Sequence, residues 1–290
     1  MCPGALFSTA EFHRLGFAGA IAPWTERFHV VVAAARGAQV DIPAGWASAW
    51  WVLQGNLGVQ SSTFHGDVGK GRLLTWQDGP LRLSAPGHVG AIGIAGPAHL
   101  WSYRLRDQAG GGDRLLMPWQ VRPSRELRRL MVRVARLSRH GKARHEAALG
   151  ALVAAVHESQ APVRVYLEAC SGRTRQRREQ VLLRLMRVRH LITFGRSTRL
   201  DLAGLAEVAN YSPTHLIRLY RDVFGETPLE HANRLRVGRS WVLVRDTRMP
   251  IGDISEVIGF ESKSAFCRSF KANFGTTTSQ VRRSAANTEG

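Results

Sequence analysis

The segment YSPTHLIRLYRDVFGETP, Tyr211–Pro228, predicts one short helix with a defined beginning and end. Ser212 is a favourable N-cap, and Pro213 follows at the first helical position, where its missing N–H costs no hydrogen bond. Gly225 suits the left-handed conformation that commonly ends a helix. The sequence therefore predicts a helix of about three turns that ends just before Gly225.

This helix has one apolar face and one polar face. The apolar face follows the i, i+3, i+4, i+7 spacing of a buried helical stripe and consists of Leu216, Leu219, Tyr220 and Val223. The opposite face consists of Thr214, Ile217, Arg218 and Arg221. The pattern indicates that the first face packs against a core and that the second face is presented to a partner.

The same plan recurs 50 positions later in FESKSAFCRSFKANFGTTT, Phe260–Thr278. Ser212 corresponds to Ser262, and Gly225 corresponds to Gly275. The presented face of this second helix consists of Ser264, Cys267, Arg268 and Lys271, with Lys263 beside them. Cap, packing face and presented charge therefore repeat together.

A shorter helical segment precedes each copy. LAGLAEVAN, Leu202–Asn210, aligns with IGDISEVIGF, Ile251–Phe260, at an offset of 49, which places the one-residue difference in the turn between the two helices. A short helix, a tight turn and a second helix with a basic outer face form the helix-turn-helix arrangement. Two similar helical hairpins that only pack on each other are the alternative, but duplication of the same outward positions favours DNA binding.

The segment from about Val181 to Arg283 resembles the DNA-binding domain of the AraC/XylS family of transcriptional regulators. The resemblance extends over both motifs and the connecting RLRVGRSWVLV. It implies seven helices, with two recognition helices in successive major-groove segments joined by a long helix that starts near Leu229. Three residues depart from the family pattern: Gly238 within the connector, and Thr278 and Val281 in place of the usual proline and tyrosine.

The presented side chains have distinct expected roles in the major groove. Arginine bound through two hydrogen bonds to guanine is the commonest specific contact, and Arg218 and Arg268 are the candidates for it. Ile217 and Cys267 are suited to a thymine methyl group. Arg221 and Lys271 lie further along each helix and are expected to contact phosphate. The resemblance adds Thr214, Lys263 and Ser264 as neighbouring base-contacting positions.

Charge and composition agree with a nucleic-acid partner without specifying it. The chain has 290 residues, enough for two domains, and a net charge of +18, of which residues 121–190 carry +12. A solvated arginine face, or non-specific binding of nucleic acid through this middle segment, is the alternative explanation. Three cysteines without a C-x-x-C motif favour the reducing cytoplasm, and no signal peptide or membrane span is expected.

The amino-terminal part predicts short strands separated by glycine and proline turns, which is typical of a sandwich or barrel. The predicted strands are FHVVVAAA, WASAWWVLQGNLGVQ, GRLLTW, PLRLSA, HVGAIGIAG and LWSYRLR. The family resemblance implies a cupin-like β-barrel that senses an effector or dimerises. The candidates for lining an effector pocket, with core packing as the alternative role, are Trp46, Trp50, Trp51 and Trp76. Because His65, His88 and His99 are scattered, we expect no metal and no catalytic site.

The expected organisation is α+β, with a cupin-like domain at 1–120, a helical linker at 121–177, the double helix-turn-helix domain at 178–284 and a tail at 285–290. Helical stripes in the linker, around Leu127–Leu137 and Leu149–Val156, either cover the barrel or form a dimer. We expect a homodimeric regulator of double-stranded DNA without a cofactor, with a small-molecule effector and, for an activator, RNA polymerase as partners. A cupin-type enzyme with an attached DNA-binding module is the alternative.

Overall fold

The fold is described from a computed structural model, in which residues 10–15, 24–34, 36–62, 65–106, 115–139, 145–194 and 201–286 are placed. The chain forms two compact units, Met1–Arg187 and Val188–Gly290, and the division falls inside the helix Arg175–Phe194. Among the placed helices, none combines the length and apolarity needed to span a bilayer.

The first unit is rich in β-structure, as its short apolar segments predict. Its strands within the described ranges are β1 (Glu11–Leu15), β2 (His29–Ala34), β3 (Gln39–Ile42), β4 (Trp46–Gln54), β5 (Asn56–Gln60), β6 (His65–Gly69), β7 (Leu73–Trp76), β8 (Leu81–Ser84), β9 (Gly90–Pro97) and β10 (Trp119–Val121). A six-stranded sheet has the order β1-β2-β9-β4-β7-β10, and a four-stranded sheet has the order β3-β8-β5-β6. Only the β1–β2 pair is parallel among these pairings.

Two of the expected strands are wrong. The segment WASAWWVLQGNLGVQ is not one strand, because Gly55 (φ 74°) lies between β4 of one sheet and β5 of the other. The segment LWSYRLR is not a strand but part of helix α1 (Ala98–Arg106). A short apolar run is compatible with the periodicity of a helix and with that of a strand. In the structure Leu100 and Trp101 are both buried, and the ring of Trp101 packs edge-to-face on Phe28 with 5.5 Å between ring centroids.

Helix α2 (Arg125–Arg139) packs on the six-stranded sheet, and α3 (His145–Glu158) packs on α2 and α1. Their predicted apolar stripes are confirmed. Buried residues of these stripes are Leu127, Met131 and Val134 in α2 and Leu149, Leu152, Val153 and Val156 in α3. Both stripes are therefore buried by contacts within this chain, as expected for helices that cover the β-rich core. The arginines of α2 are exposed on its opposite side. Helix α4 (Ala161–Ala169) follows.

The second unit is helical. Its elements are the end of α5 (Arg175–Phe194), then α6 (Leu202–Ala209), α7 (Pro213–Phe224), α8 (Pro228–Asp246), α9 (Ile251–Ile258), α10 (Lys263–Phe274) and α11 (Thr278–Ala286). The seven helices among the described residues of this unit agree with the number that the sequence resemblance implies. Helix α8 begins at Pro228, beside the expected Leu229, and runs unbroken through Gly238.

The core of the six-stranded sheet supplies a stability test at Gly93. Gly93 of β9 pairs with Trp50 of β4, and a Cβ at position 93 would overlap the indole ring of Trp50. Because a packed core cannot yield this space without moving the ring, we expect Gly93→Ala to lower the free energy of unfolding by about 1–3 kcal/mol. Gly87→Ala is the matched control, since a Cβ there meets open space. Equal melting temperatures for the two variants would contradict this packing.

Candidate nucleic-acid interface

The first helix-turn-helix motif consists of α6 and α7. Asn210 ends α6 in the left-handed conformation (φ 54°), and its N–H bonds back to carbonyls of the last turn. Ser212 then caps α7, because its hydroxyl oxygen accepts a hydrogen bond from the N–H of His215. Gly225 ends α7 at φ 77°. The capped helix predicted from the sequence is therefore confirmed at both ends.

The second motif, α9 and α10, repeats these devices. Gly259 takes the place of Asn210, with φ 85°, and Ser262 accepts a hydrogen bond from the N–H of Ala265. Gly275 ends α10 at φ 69°. The turn is one residue longer than in the first motif, as the change of offset from 49 to 50 predicts.

The two faces of each longer helix are separated as expected. In α7 the stripe Leu216, Leu219, Tyr220 and Val223 is buried, and in α10 Phe266 and Phe270 are fully buried. Exposed residues of the opposite faces are Thr214, Arg218 and Arg221 in α7 and Lys263, Ser264, Arg268 and Lys271 in α10. Ile217 and Cys267, which occupy equivalent positions, are both half-buried. Every predicted DNA-contacting residue thus lies on the outer side of its helix or at its border.

Helix α8 packs against both presented helices and so relates one to the other. On α7, the buried Tyr220 hydroxyl lies 2.6 Å from Nδ1 of His231. On α10, the ring of Phe270 stacks on Trp241 with an angle of 6° between the planes. Sequence reasoning did not identify His231 or Trp241, because neither belongs to the repeated segment.

A second repeated device lies at the start of the helices that follow α7 and α10. Thr227 and Glu230 form a reciprocal capping box at the start of α8, and Thr277 and Gln280 form the equivalent pair at α11. The spacing T-x-x-E/Q at 227 and 277 could have revealed this pair from the sequence. The capping box continues the duplication beyond the presented helices.

The departures from the family pattern near the carboxyl end are accommodated in this unit. Thr278 is 5% exposed at the first position of α11, and Val281 is buried in the core that contains Phe266 and Phe270. Both side chains therefore support the packing of α11 near α10 without the usual proline and tyrosine.

The two basic faces differ in their surroundings. Arg221 forms an exposed ion pair with Glu230 at 3.5 Å. Within the described residues, neither Arg268 nor Lys271 has a carboxylate partner. A phosphate that binds Arg221 must therefore compete with Glu230. A phosphate that binds Lys271 displaces no carboxylate of the described residues. An exposed ion pair of this kind stabilises a protein by less than about 1 kcal/mol, so the difference in phosphate affinity between the two positions is modest.

The four tryptophan candidates of the first unit occupy different environments. Trp46, Trp50 and Trp76 are buried. Trp51 is half-buried and borders an open groove of about 770 Å³ whose other lining residues belong to α2 and include Arg125, Arg129 and Arg133. The structure therefore brings Trp51 to an accessible, basic groove and leaves the other three within the protein. His65, His88 and His99 are exposed.

Known proteins resemble this chain in its carboxy-terminal region. A family model described as a helix-turn-helix domain matches residues 205–284. The transcriptional regulator Rob of Salmonella typhimurium is 37% identical over 86 residues, 30% of each chain, and the arabinose operon regulatory protein of Escherichia coli K12 is 32% identical over 82 residues, 28% of each chain. The chain thus spans less than a third of the length of these curated relatives.

Among solved structures, the carboxy-terminal domain of AraT, a response regulator from Geobacillus stearothermophilus, is 27% identical and covers 35% of this chain and 84% of its own. Its TM-score of 0.31 is too low to add to the helix assignments above.

The buried His231 predicts a pH-dependent stability of the second unit. Burial lowers the pKa of His231 to about 4, against the opposing attraction of Glu226. Between this value and the ordinary value of 6.5, His231 is protonated in the unfolded state and neutral in the folded state. The free energy of unfolding therefore falls as the pH falls through that window. We expect a loss of roughly 1–2 kcal/mol from pH 7 to pH 5.

Hydrogen exchange of peptides from α7 and α8, followed by mass spectrometry at both pH values, measures this loss. His231→Gln should remove most of it, because the amide does not titrate. His215→Gln, at a half-buried position of α7, is the control and should show the same loss of stability at pH 5 as the wild-type chain. An equal acid-induced loss in wild type and His231→Gln would show that other groups are responsible.

Proposed function

We propose that this chain, whose residues 205–284 match the model of a helix-turn-helix domain, is a sequence-specific DNA-binding regulator of transcription of the AraC/XylS type. The observation that carries the proposal is the duplicated presentation of Arg218 and Arg268. Each arginine is exposed on the outer face of a capped helix, and α8 packs against both helices. A surface of this kind suits two neighbouring segments of the major groove.

The proposed contacts follow from the chemistry of the base edges. Arg218 and Arg268 would each donate two hydrogen bonds to guanine, while Ile217 and Cys267 would contact thymine methyl groups. Thr214, Lys263 and Ser264 stand at the amino-terminal ends of the two helices, which approach base edges in this type of docking. Arg221 and Lys271 would bind phosphate and so fix the register without selecting sequence.

The first unit is proposed to sense an effector or to dimerise. Its two sheets and the helices that cover one of them are compatible with a cupin-like barrel over residues 1–120, followed by a linker at 121–177 and the DNA-binding domain at 178–284. The groove beside Trp51 offers arginines to an anionic ligand. Homodimerisation, and contact with RNA polymerase if the protein activates transcription, complete the proposal, in which the protein works in the cytoplasm without a catalytic role.

The alternative of non-specific nucleic-acid binding is favoured by the exposed arginines of α2. These side chains stand outside the duplicated motifs. Because base contacts and phosphate contacts respond differently to sequence, substitutions in α7 and α10 separate the two functions.

Arg218→Ala and Arg268→Ala should each weaken binding to a cognate site by about 1–3 kcal/mol and relax preference at one base position. The site is first selected by the wild-type protein from random duplexes, and affinities are then measured at fixed salt for the selected duplex and for a scrambled one. Lys271→Ala is the matched control and should weaken binding to both duplexes equally. Equal losses of Arg218→Ala and Arg268→Ala on the two duplexes would refute base-specific contacts.

A further inference from the structure

Three side chains of the first unit converge at the edge of the six-stranded sheet. Glu11 and His13 are two residues apart on β1 and therefore project from the same side of that strand. His29 lies on the adjacent strand β2, directly opposite Glu11 in the parallel register. One donor atom from each residue lies within 4.8 Å of the other two. The pairing of two strands thus assembles a group that is scattered in the sequence.

The hydrogen bonds of His29 fix which of its nitrogens is available. Nε2 lies 3.0 Å from the carbonyl oxygen of Thr25, which can only accept, so Nε2 carries the proton in this bond. In the neutral ring, Nδ1 is then unprotonated, so it can accept a hydrogen bond or bind a metal ion. This atom lies 2.8 Å from Nε2 of His13 and 3.7 Å from Oε2 of Glu11. The backbone therefore holds His29 in the tautomer that a metal ligand requires.

Thr25 also orients the carboxylate. Its hydroxyl donates to Oε1 of Glu11 at 2.7 Å, which leaves Oε2 on the side of His29. One residue thus positions two of the three donor groups, as the outer partners of metal ligands commonly do. Trp24 and Trp46 enclose His29, with ring centroids 4.7 and 5.4 Å from its own.

Burial and access also suit a bound cation. The side chain of His29 is fully buried, whereas that of Glu11 is 35% exposed and provides the path to solvent. The neutral imidazole is the form of histidine that binds a metal ion. The carboxylate contributes a negative charge beside them.

We propose that Glu11, His13 and His29 bind a divalent transition-metal ion, with Zn²⁺ as the best match. Two imidazole nitrogens and one carboxylate oxygen suit Zn²⁺ and similar first-row ions better than Mg²⁺ or Ca²⁺, which prefer oxygen alone. Two nitrogens bound to one Zn²⁺ stand roughly 3.3 Å apart, so His13 and His29 need to separate by only a few tenths of an ångström. Three protein ligands leave a position for water or a small ligand.

The ion would connect β1 to β2. Within the described residues, β1 lies at one edge of the six-stranded sheet and pairs only with β2. A bridge from Glu11 and His13 to His29 would hold this edge in place, so metal supply would control the order of the first strand.

Calorimetric titration of the full-length, tag-free chain with Zn²⁺, after removal of metal with a chelator, tests the proposal. The expected result is saturable binding of one ion per chain with a micromolar or tighter Kd. His13→Gln and Glu11→Gln, both at half-buried positions, should weaken it by about 10–100-fold or more. His99→Gln, at an exposed histidine, is the control and should bind as wild type does.

A second readout keeps the test decisive if a variant is unstable. Co²⁺ in place of Zn²⁺ should give the visible absorption of a four- or five-coordinate ion in the wild-type chain, and circular dichroism should establish that each variant is folded. Absence of stoichiometric binding by the wild type would overturn the proposal. So would folded His13→Gln and Glu11→Gln variants that bind Zn²⁺ as tightly as wild type, because the histidine pair would then be only a hydrogen-bonded part of the core.

Discussion

The packing of α8 against both α7 and α10 fixes how the two helix-turn-helix motifs are arranged in the second unit. Helix α8 has 19 residues and extends about 28 Å. His231 contacts α7 near one end, and Trp241 contacts α10 three turns later. Because these contacts are buried or stacked, the two presented faces cannot shift independently without loss of packing.

The duplication explains why this part of the fold could be predicted from the sequence. The helix signals at Ser212, Pro213 and Gly225 are local, and their recurrence 50 residues later made the same prediction twice. What α8 contributes could not be predicted in this way. Neither His231 nor Trp241 belongs to the repeated segments. Their roles depend on which side chains of another helix they contact.

The first unit was less predictable because its decisive features are not local. The run LWSYRLR fits strand and helix periods alike, and only its packing against Phe28 and α3 resolves it as a helix. Glu11 and His13 are separated from His29 by a stretch of chain, and the parallel pairing of β1 with β2 brings them together. The scattered histidines of the sequence therefore did not indicate the one cluster of this kind that the described residues contain.

Position-specific DNA cleavage tests directly whether α7 and α10 of one chain occupy successive major-groove segments, as we propose. An iron chelate is attached to Cys267 in one protein and to Ile217→Cys in a second protein with Cys267→Ser, and Cys2 and Cys170 are replaced by serine in both. For each bound chain, the two proteins should cleave at centres about one helical turn, roughly 10 base pairs, apart on the same face of the duplex. Coincident centres, or cleavage from only one position, would contradict the account, since a single motif would then contact DNA.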